Sequence, residues 1–145
     1  MTYDKFITAN NLQFTADWVS ARPDNLMDTN MNHYKCRITC TRFVPNVRSE
    51  SRYRKQARGF TLYFSQGFGI THEPKLADVL DCLASDAAGY ENASTFEDWA
   101  EEYGYDTDSR KAERMYRTIK RQAEQLRRTI GDEAYQTLLW EMERL

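Results

Sequence analysis

The sequence is poor in residues that punctuate or cross-link a chain. Three prolines and six glycines in 145 residues exclude a low-complexity protein of the Pro/Gly-rich kind. Three cysteines, an odd number, fit a reducing compartment. Cys36 and Cys40 lie four apart, about 13 Å on a strand at ~3.3 Å per residue, too far for a mutual disulfide. Neither count nor spacing suits a zinc knuckle, so the cysteines are expected to be small buried apolar residues. The two histidines, His33 and His72, have no Ser, Cys or carboxylate at the spacing of a triad. Both are expected to be surface or capping residues, and no catalytic residue, metal ligand or cofactor is assigned. No apolar run approaches the roughly 18 residues of a membrane span, and Met1 to Asn10 lacks the layout of a signal peptide. The expectation is an intracellular protein.

A further lack is local. Leu76 to Asp108 contains ten acidic residues and no Lys or Arg. The formal net charge of −2 conceals this, because residues 1 to 75 hold 11 basic and 6 acidic side chains while 76 to 145 hold 9 and 16. Blocks of opposite sign make a near-neutral whole. An apolar fraction of 41% with 13% aromatics is enough for a core, and the length suits one domain, 1–145.

The N-terminal part, residues 12–66, reads as strands. A short helix from Thr2 to Thr8, capped by Thr2, ends in the turn pair Asn10-Asn11. Leu12, Phe14, Ala16 and Trp18 then alternate with polar residues, as in a strand with one buried face. Ala21 to Asn32 reads as a loop. From Tyr34 the residues Tyr34, Cys36, Ile38 and Cys40 mark a core face and Lys35, Arg37, Thr39 and Thr41 a wet one. A third strand runs from Phe60 to Ser65. Between these strands a long basic loop, Phe43 to Gly59, carries Arg48, Arg52, Arg54, Lys55 and Arg58 against Glu50, with Phe43 and Tyr53 interleaved. Loops of that length are usually functional or disordered.

The helical part, 74–143, follows. Leu76, Val79, Leu80, Leu83 and Ala87 form one stripe after Pro74, and Gly89 to Ala93 reads as a break. Ser94 with Glu97 spells a capping box for a short helix ending at Gly104. The longest helix starts among Asp106 to Ser109 and reaches Ile130, with Ala112, Tyr116, Ile119, Ala123 and Leu126 as its apolar seam. That seam is expected to be core, with a homodimer interface as the alternative. Asp132 opens a last helix with Tyr135, Leu138, Leu139 and Met142 inward. Strands followed by helices predict an α+β fold, a small antiparallel sheet of about three strands packed against three to four helices.

Two charged surfaces are the candidate sites. Asp78, Asp81, Asp86, Glu97, Asp98, Glu101 and Glu102 form an acidic face suited to a basic partner, since metal-dependent catalysis needs acids converging from separate elements. Arg48, Arg52, Tyr53, Arg54, Lys55 and Arg58 mix cations with a ring, as where phosphates and bases are met. A pI near 5.7 is low for a dedicated nucleic-acid binder. Gly67-Phe68-Gly69 has no third glycine or βαβ setting, and is no phosphate loop.

The runs Leu76-Ala77-Asp78-Val79-Leu80-Asp81-Cys82-Leu83, Phe96-Glu97-Asp98-Trp99-Ala100-Glu101-Glu102-Tyr103-Gly104 and Asp106-Thr107-Asp108-Ser109-Arg110-Lys111-Ala112-Glu113 resemble a set of small accessory proteins of phages, prophages and mobile elements, over about Leu62 to Ile130. The resemblance implies an anti-defence protein of the anti-CRISPR or antirestriction type in the host cytoplasm. It would bind a host nuclease or surveillance complex, a CRISPR effector above all, stoichiometrically through charged surfaces. The alternative is a phage nucleic-acid-binding regulator using the basic loop and the long helix.

Overall fold

The computed structural model describes residues 1–19, 31–45, 53–67 and 72–142. Among them a three-stranded antiparallel sheet in the order β1-β2-β3 is joined by five helices, one more than the upper expectation of four. The α+β reading stands. The first helix, α1 (Tyr3–Ala9), is capped as expected by Thr2, whose hydroxyl accepts from the Lys5 N–H. Asn11 then takes φ 53°, the left-handed turn geometry that Asn tolerates. This turns the chain into β1 (Leu12–Trp18), which pairs with β2 (Met31–Pro45) from Leu12↔Cys40 to Trp18↔Tyr34.

The second hairpin differs from expectation. β2 pairs with β3 (Tyr53–Gly67) without interruption from Met31↔Gly67 to Pro45↔Tyr53. Most of the expected loop 43–59 is therefore strand, and only 46–52 lies between the strands. Periodicity missed this because the pairing joins residues distant in the chain, and ladder hydrogen bonds can extend a two-stranded ribbon whatever the pattern of its side chains. Burial in β2 runs through Tyr34, Cys36, Ile38 and Cys40. Arg58 lies opposite Cys40. His33 also departs from expectation: it is buried within β2, with Nδ1 3.1 Å from the Ser65 hydroxyl. Trp18, expected on the core face, is exposed and meets Tyr34 edge-on at 5.6 Å.

Helix α2 (Leu76–Asn92) buries Val79, Leu80, Leu83, Ala84 and Ala87 and runs straight through Gly89, where a break was expected. An interior helical glycine costs only about 1 kcal/mol relative to alanine. Here its bare surface admits Tyr103, since a Cβ on Gly89 would stand 2.2 Å from the Tyr103 hydroxyl. Helix α3 (Phe96–Glu102) begins one residue later than the expected box. Thr95, not Ser94, is the cap, and its hydroxyl accepts from the Asp98 N–H at 3.2 Å. Ser109 caps α4 (Arg110–Ile130), and Gly131 at φ 91° separates it from α5 (Asp132–Trp140).

The main core joins β1–β3, α1, α2, α5 and the C-terminal half of α4, where Ala123, Leu126 and Ile130 are buried. A smaller cluster of Trp99, Ala100 and Ala112, flanked by Phe96, Met115, Tyr116 and Ile119, fastens α3 to the N-terminal half of α4. The α4 seam is thus core. No helix among the described residues is long and apolar enough to cross a membrane.

Gly59 is the tightest point of the sheet. A Cβ there would lie 2.5 Å from the Ile38 carbonyl oxygen and 2.6 Å from Thr39 Cγ2, and backbone in a paired strand cannot yield easily. Gly59→Ala is expected to destabilise the fold by about 1–3 kcal/mol, read from the urea midpoint. An unchanged midpoint would mean that the β2–β3 pair has slack at this position.

Candidate functional site

The acids of α2 and α3 are placed by the same packing that makes the core. With Val79, Leu80, Leu83 and Ala87 turned inward, Asp78, Cys82 and Asp86, spaced by four, fall on the outer side of α2. Asp81 lies toward α1 and accepts a hydrogen bond from the Tyr3 hydroxyl at 2.7 Å, so it helps to fix the fold. In α3 the inward residues are Trp99 and Ala100, which leaves Glu97, Asp98, Glu101 and Glu102 exposed.

Of the cations of α4, Arg127 lies near an acid of α2: it feels the charge of Glu91, which accepts a hydrogen bond from the Tyr135 hydroxyl at 2.8 Å. The ion pairs seen among the described residues join Arg117 to Glu113 within α4 and Arg127 to Asp132 at the start of α5. Glu97, Asp98, Glu101 and Glu102 take part in no ion pair among the described residues. The cause is helical phase, because the α4 residues that face the other elements are Ala112, Ala123, Leu126 and Ile130. Arg110, Lys111, Arg114, Lys120 and Arg121 are accordingly exposed.

The acids do not meet at one point. Asp78 lies eleven residues before Gly89, about 16 Å along the helix axis. What does converge is a cleft of about 340 Å³ between the end of α2 and α3, lined by Gly89, Asn92, Ala93, Asp98, Glu102 and Tyr103. Two carboxylates and a tyrosine ring thus share one concavity. Tyr103 is 51% exposed and Tyr105 39% exposed, yet both rings rest on buried Trp99, at 5.6 Å for Tyr103 and stacked at 5.3 Å for Tyr105. Trp99 in turn touches Tyr116 of α4 at 5.5 Å. The exposed rings are held by a buried one.

Periodicity singles out neither ring as part of a surface. The available signal was Gly89, a glycine inside a strong helix pattern, which marks a close approach.

The thiols are poorly suited to nucleophilic chemistry. Cys36 is buried, and burial first, then the nearby Glu73 and Asp17 charges, pushes it up to about 12. Cys82 is exposed, contrary to expectation, and is raised by desolvation and by the charges of Asp86, Asp81 and Asp78. A thiol held protonated is a weak nucleophile. No group of three or more His, Cys, Asp or Glu side chains among the described residues is arranged to hold a metal ion.

Of the expected basic loop, Arg48 and Arg52 lie outside the described residues. Tyr53, Arg54 and Lys55 belong to β3, opposite Pro45, Val44 and Phe43. Arg58 lines a cleft of about 500 Å³ between β3 and α4, together with Arg37 and Arg128. On the sequence, Arg37 lies on a wet strand face and Arg128 off the apolar seam of the long helix. Comparison with family models, with curated proteins and with solved structures gave no match.

Asp86 carries a testable charge. Although the residue is exposed as a whole, desolvation by surrounding protein pushes its carboxyl up to about 6. This lies above the ordinary carboxylate value of about 3.9. Between those pH values the folded chain holds a proton that the unfolded chain has released, so this group's contribution is full below about pH 4 and is lost as pH rises through about 6. Asp86→Asn is expected to raise the melting temperature at pH 7.5 and to leave it nearly unchanged at pH 4. A gain of equal size at both pH values would contradict the raised pKa.

Proposed function

We propose that the chain is an anti-defence protein of the phage anti-CRISPR type, acting in the host cytoplasm. It inhibits a nuclease or surveillance complex by stoichiometric binding of its acidic face to a surface that normally receives nucleic-acid phosphates. The observation that carries this reading is the α2–α3 cleft, where Asp98, Glu102 and the Tyr103 ring meet with no ion pair from the chain's own cations among the described residues. A guanidinium or ammonium group from a partner would find two carboxylates and a ring face there. Glu97 and Glu101, exposed on the same helix, would supply the long-range field that speeds encounter and makes binding salt-sensitive.

Mixed chemistry supports a protein partner over a diffuse ionic one. Productive protein interfaces set a few aromatic anchors inside a polar rim, and Tyr103 and Tyr105 stand among Glu101, Glu102 and Asp106 in that manner. The resemblance of the α2–α4 runs to phage accessory proteins supplies the class of partner.

The test is charge reversal on exposed positions alone. Glu97→Lys, Asp98→Lys, Glu101→Lys and Glu102→Lys together should leave the circular dichroism spectrum unchanged and weaken partner binding by at least about a hundredfold, close to 3 kcal/mol. Phage plating on a host with an active CRISPR system, protected by the unaltered chain, should fall to the level seen without it. Undiminished protection by the folded variant would exclude the acidic face as the inhibitory surface.

A further inference from the structure

We propose that α4 and the adjoining edge of the sheet form a second binding surface, basic and separate from the acidic face, that takes the phosphate backbone of a nucleic acid. Arg110, Arg114, Arg117, Arg121 and Arg128 are all exposed. At 3.6 residues per turn they fall within about 60° of arc, and at 1.5 Å per residue their row is about 27 Å long. Arg117 shares its charge with Glu113 one turn back. That pair is exposed on both sides, and such pairs contribute little enough for a phosphate to replace the carboxylate.

The row ends in a built feature. Arg128 lines the 500 Å³ cleft with Arg37 of β2 and Arg58 of β3, beside Gln125 and Thr129 of α4. Three guanidinium groups thus reach one cleft from three elements, brought there by separate causes. Arg128 is turned outward by the buried seam of α4. Arg58 is placed by the β2–β3 register, opposite Cys40. Arg37 lies beside β3, its Nη1 donating to the Thr61 hydroxyl at 3.5 Å. Gly59, with no side chain, is part of the same wall.

The composition of this surface selects the partner. All five members of the row and all three cations of the cleft are arginine, whose planar fork matches phosphate oxygens in pairs. The neighbouring Gln125 is a side chain of the kind that donates to phosphates, while buried Thr129 donates its hydroxyl to the Gln125 carbonyl at 2.7 Å. Among the described residues, the large exposed apolar side chains, Met1, Trp18, Tyr103, Tyr105 and Trp140, lie off α4 and outside the residues that line this cleft. A protein partner would need such anchors; a sugar–phosphate backbone needs only donors, and over 27 Å one strand of a duplex presents about eight phosphates.

Fluorescence anisotropy of the full chain with labelled single-stranded RNA, single-stranded DNA and duplex DNA, each of about 25 nucleotides or base pairs and at about 50 and 200 mM salt, tests the surface. The expected result is binding of at least one probe that weakens at least tenfold at the higher salt. Arg114→Glu with Arg121→Glu should weaken it at least tenfold and Arg58→Glu several-fold, whereas Glu97→Gln with Glu101→Gln should leave it unchanged or tighter. If the reversed pair fails to fold, Arg114→Gln with Arg121→Gln should still weaken binding several-fold. Absence of binding to every probe would overturn the proposal. So would affinity indifferent to folded arginine variants, or displacement of the probe by polyglutamate as readily as by unlabelled nucleic acid. The acidic and basic surfaces are tested on different residues, so failure of one leaves the other standing.

Discussion

The rotational setting of α4 is the constraint on which the rest depends. Ala123, Leu126 and Ile130 are buried in the main core, and Ala112 in the smaller aromatic one. These residues follow one another at steps of eleven, three and four, so a single phase of a 21-residue helix satisfies two cores at once. Burial of a side chain such as Leu126 or Ile130 contributes about 1.5–3 kcal/mol, whereas an exposed ion pair contributes about 0–1 kcal/mol. Packing therefore decides the phase. The arginines go where the seam leaves them, facing water.

From that phase the separation of charge follows. α2 meets α4 through its apolar stripe and carries Asp78 and Asp86 on the far side, while α3 meets α4 through Trp99 and turns four carboxylates outward. The charges meet at the end of α2, where Glu91 accepts from the Tyr135 hydroxyl near Arg127; Glu97, Asp98, Glu101 and Glu102 are exposed on α3. Like charges gathered this way oppose folding, and a field of one sign over a surface is useful chiefly to a partner of the other sign. The near-neutral total belongs to neither surface.

Much of this arrangement was legible in the sequence because it is written in periodicity. The inward residues of α2, α4 and α5 were readable from spacing alone, as were the Thr2 cap, the Asn10-Asn11 turn and the stop at Gly104. The misses share a physical cause: they depend on residues distant in the chain. Gly89 reads locally as a breaker, and only the arrival of Tyr103 fourteen residues later makes its bare surface useful. Residues 43–45 and 53–55 join the ribbon by pairing with each other across the intervening chain, and the register is continuous to Pro45↔Tyr53. The α2–α3 cleft and the three-arginine cleft are likewise tertiary. Their residues were visible as charge, and their company was not.

Charge separation by packing is the central claim, and a double-mutant cycle measures it directly. Glu97→Gln with Glu101→Gln forms one arm, Arg114→Gln with Arg121→Gln the other, and unfolding free energies of the four proteins are compared at low salt, where surface attraction is least screened. Independent surfaces require a coupling free energy within about 0.5 kcal/mol of zero. A favourable coupling above about 1 kcal/mol would mean that α4 neutralises the acids after all, and that neither surface is left open for a partner.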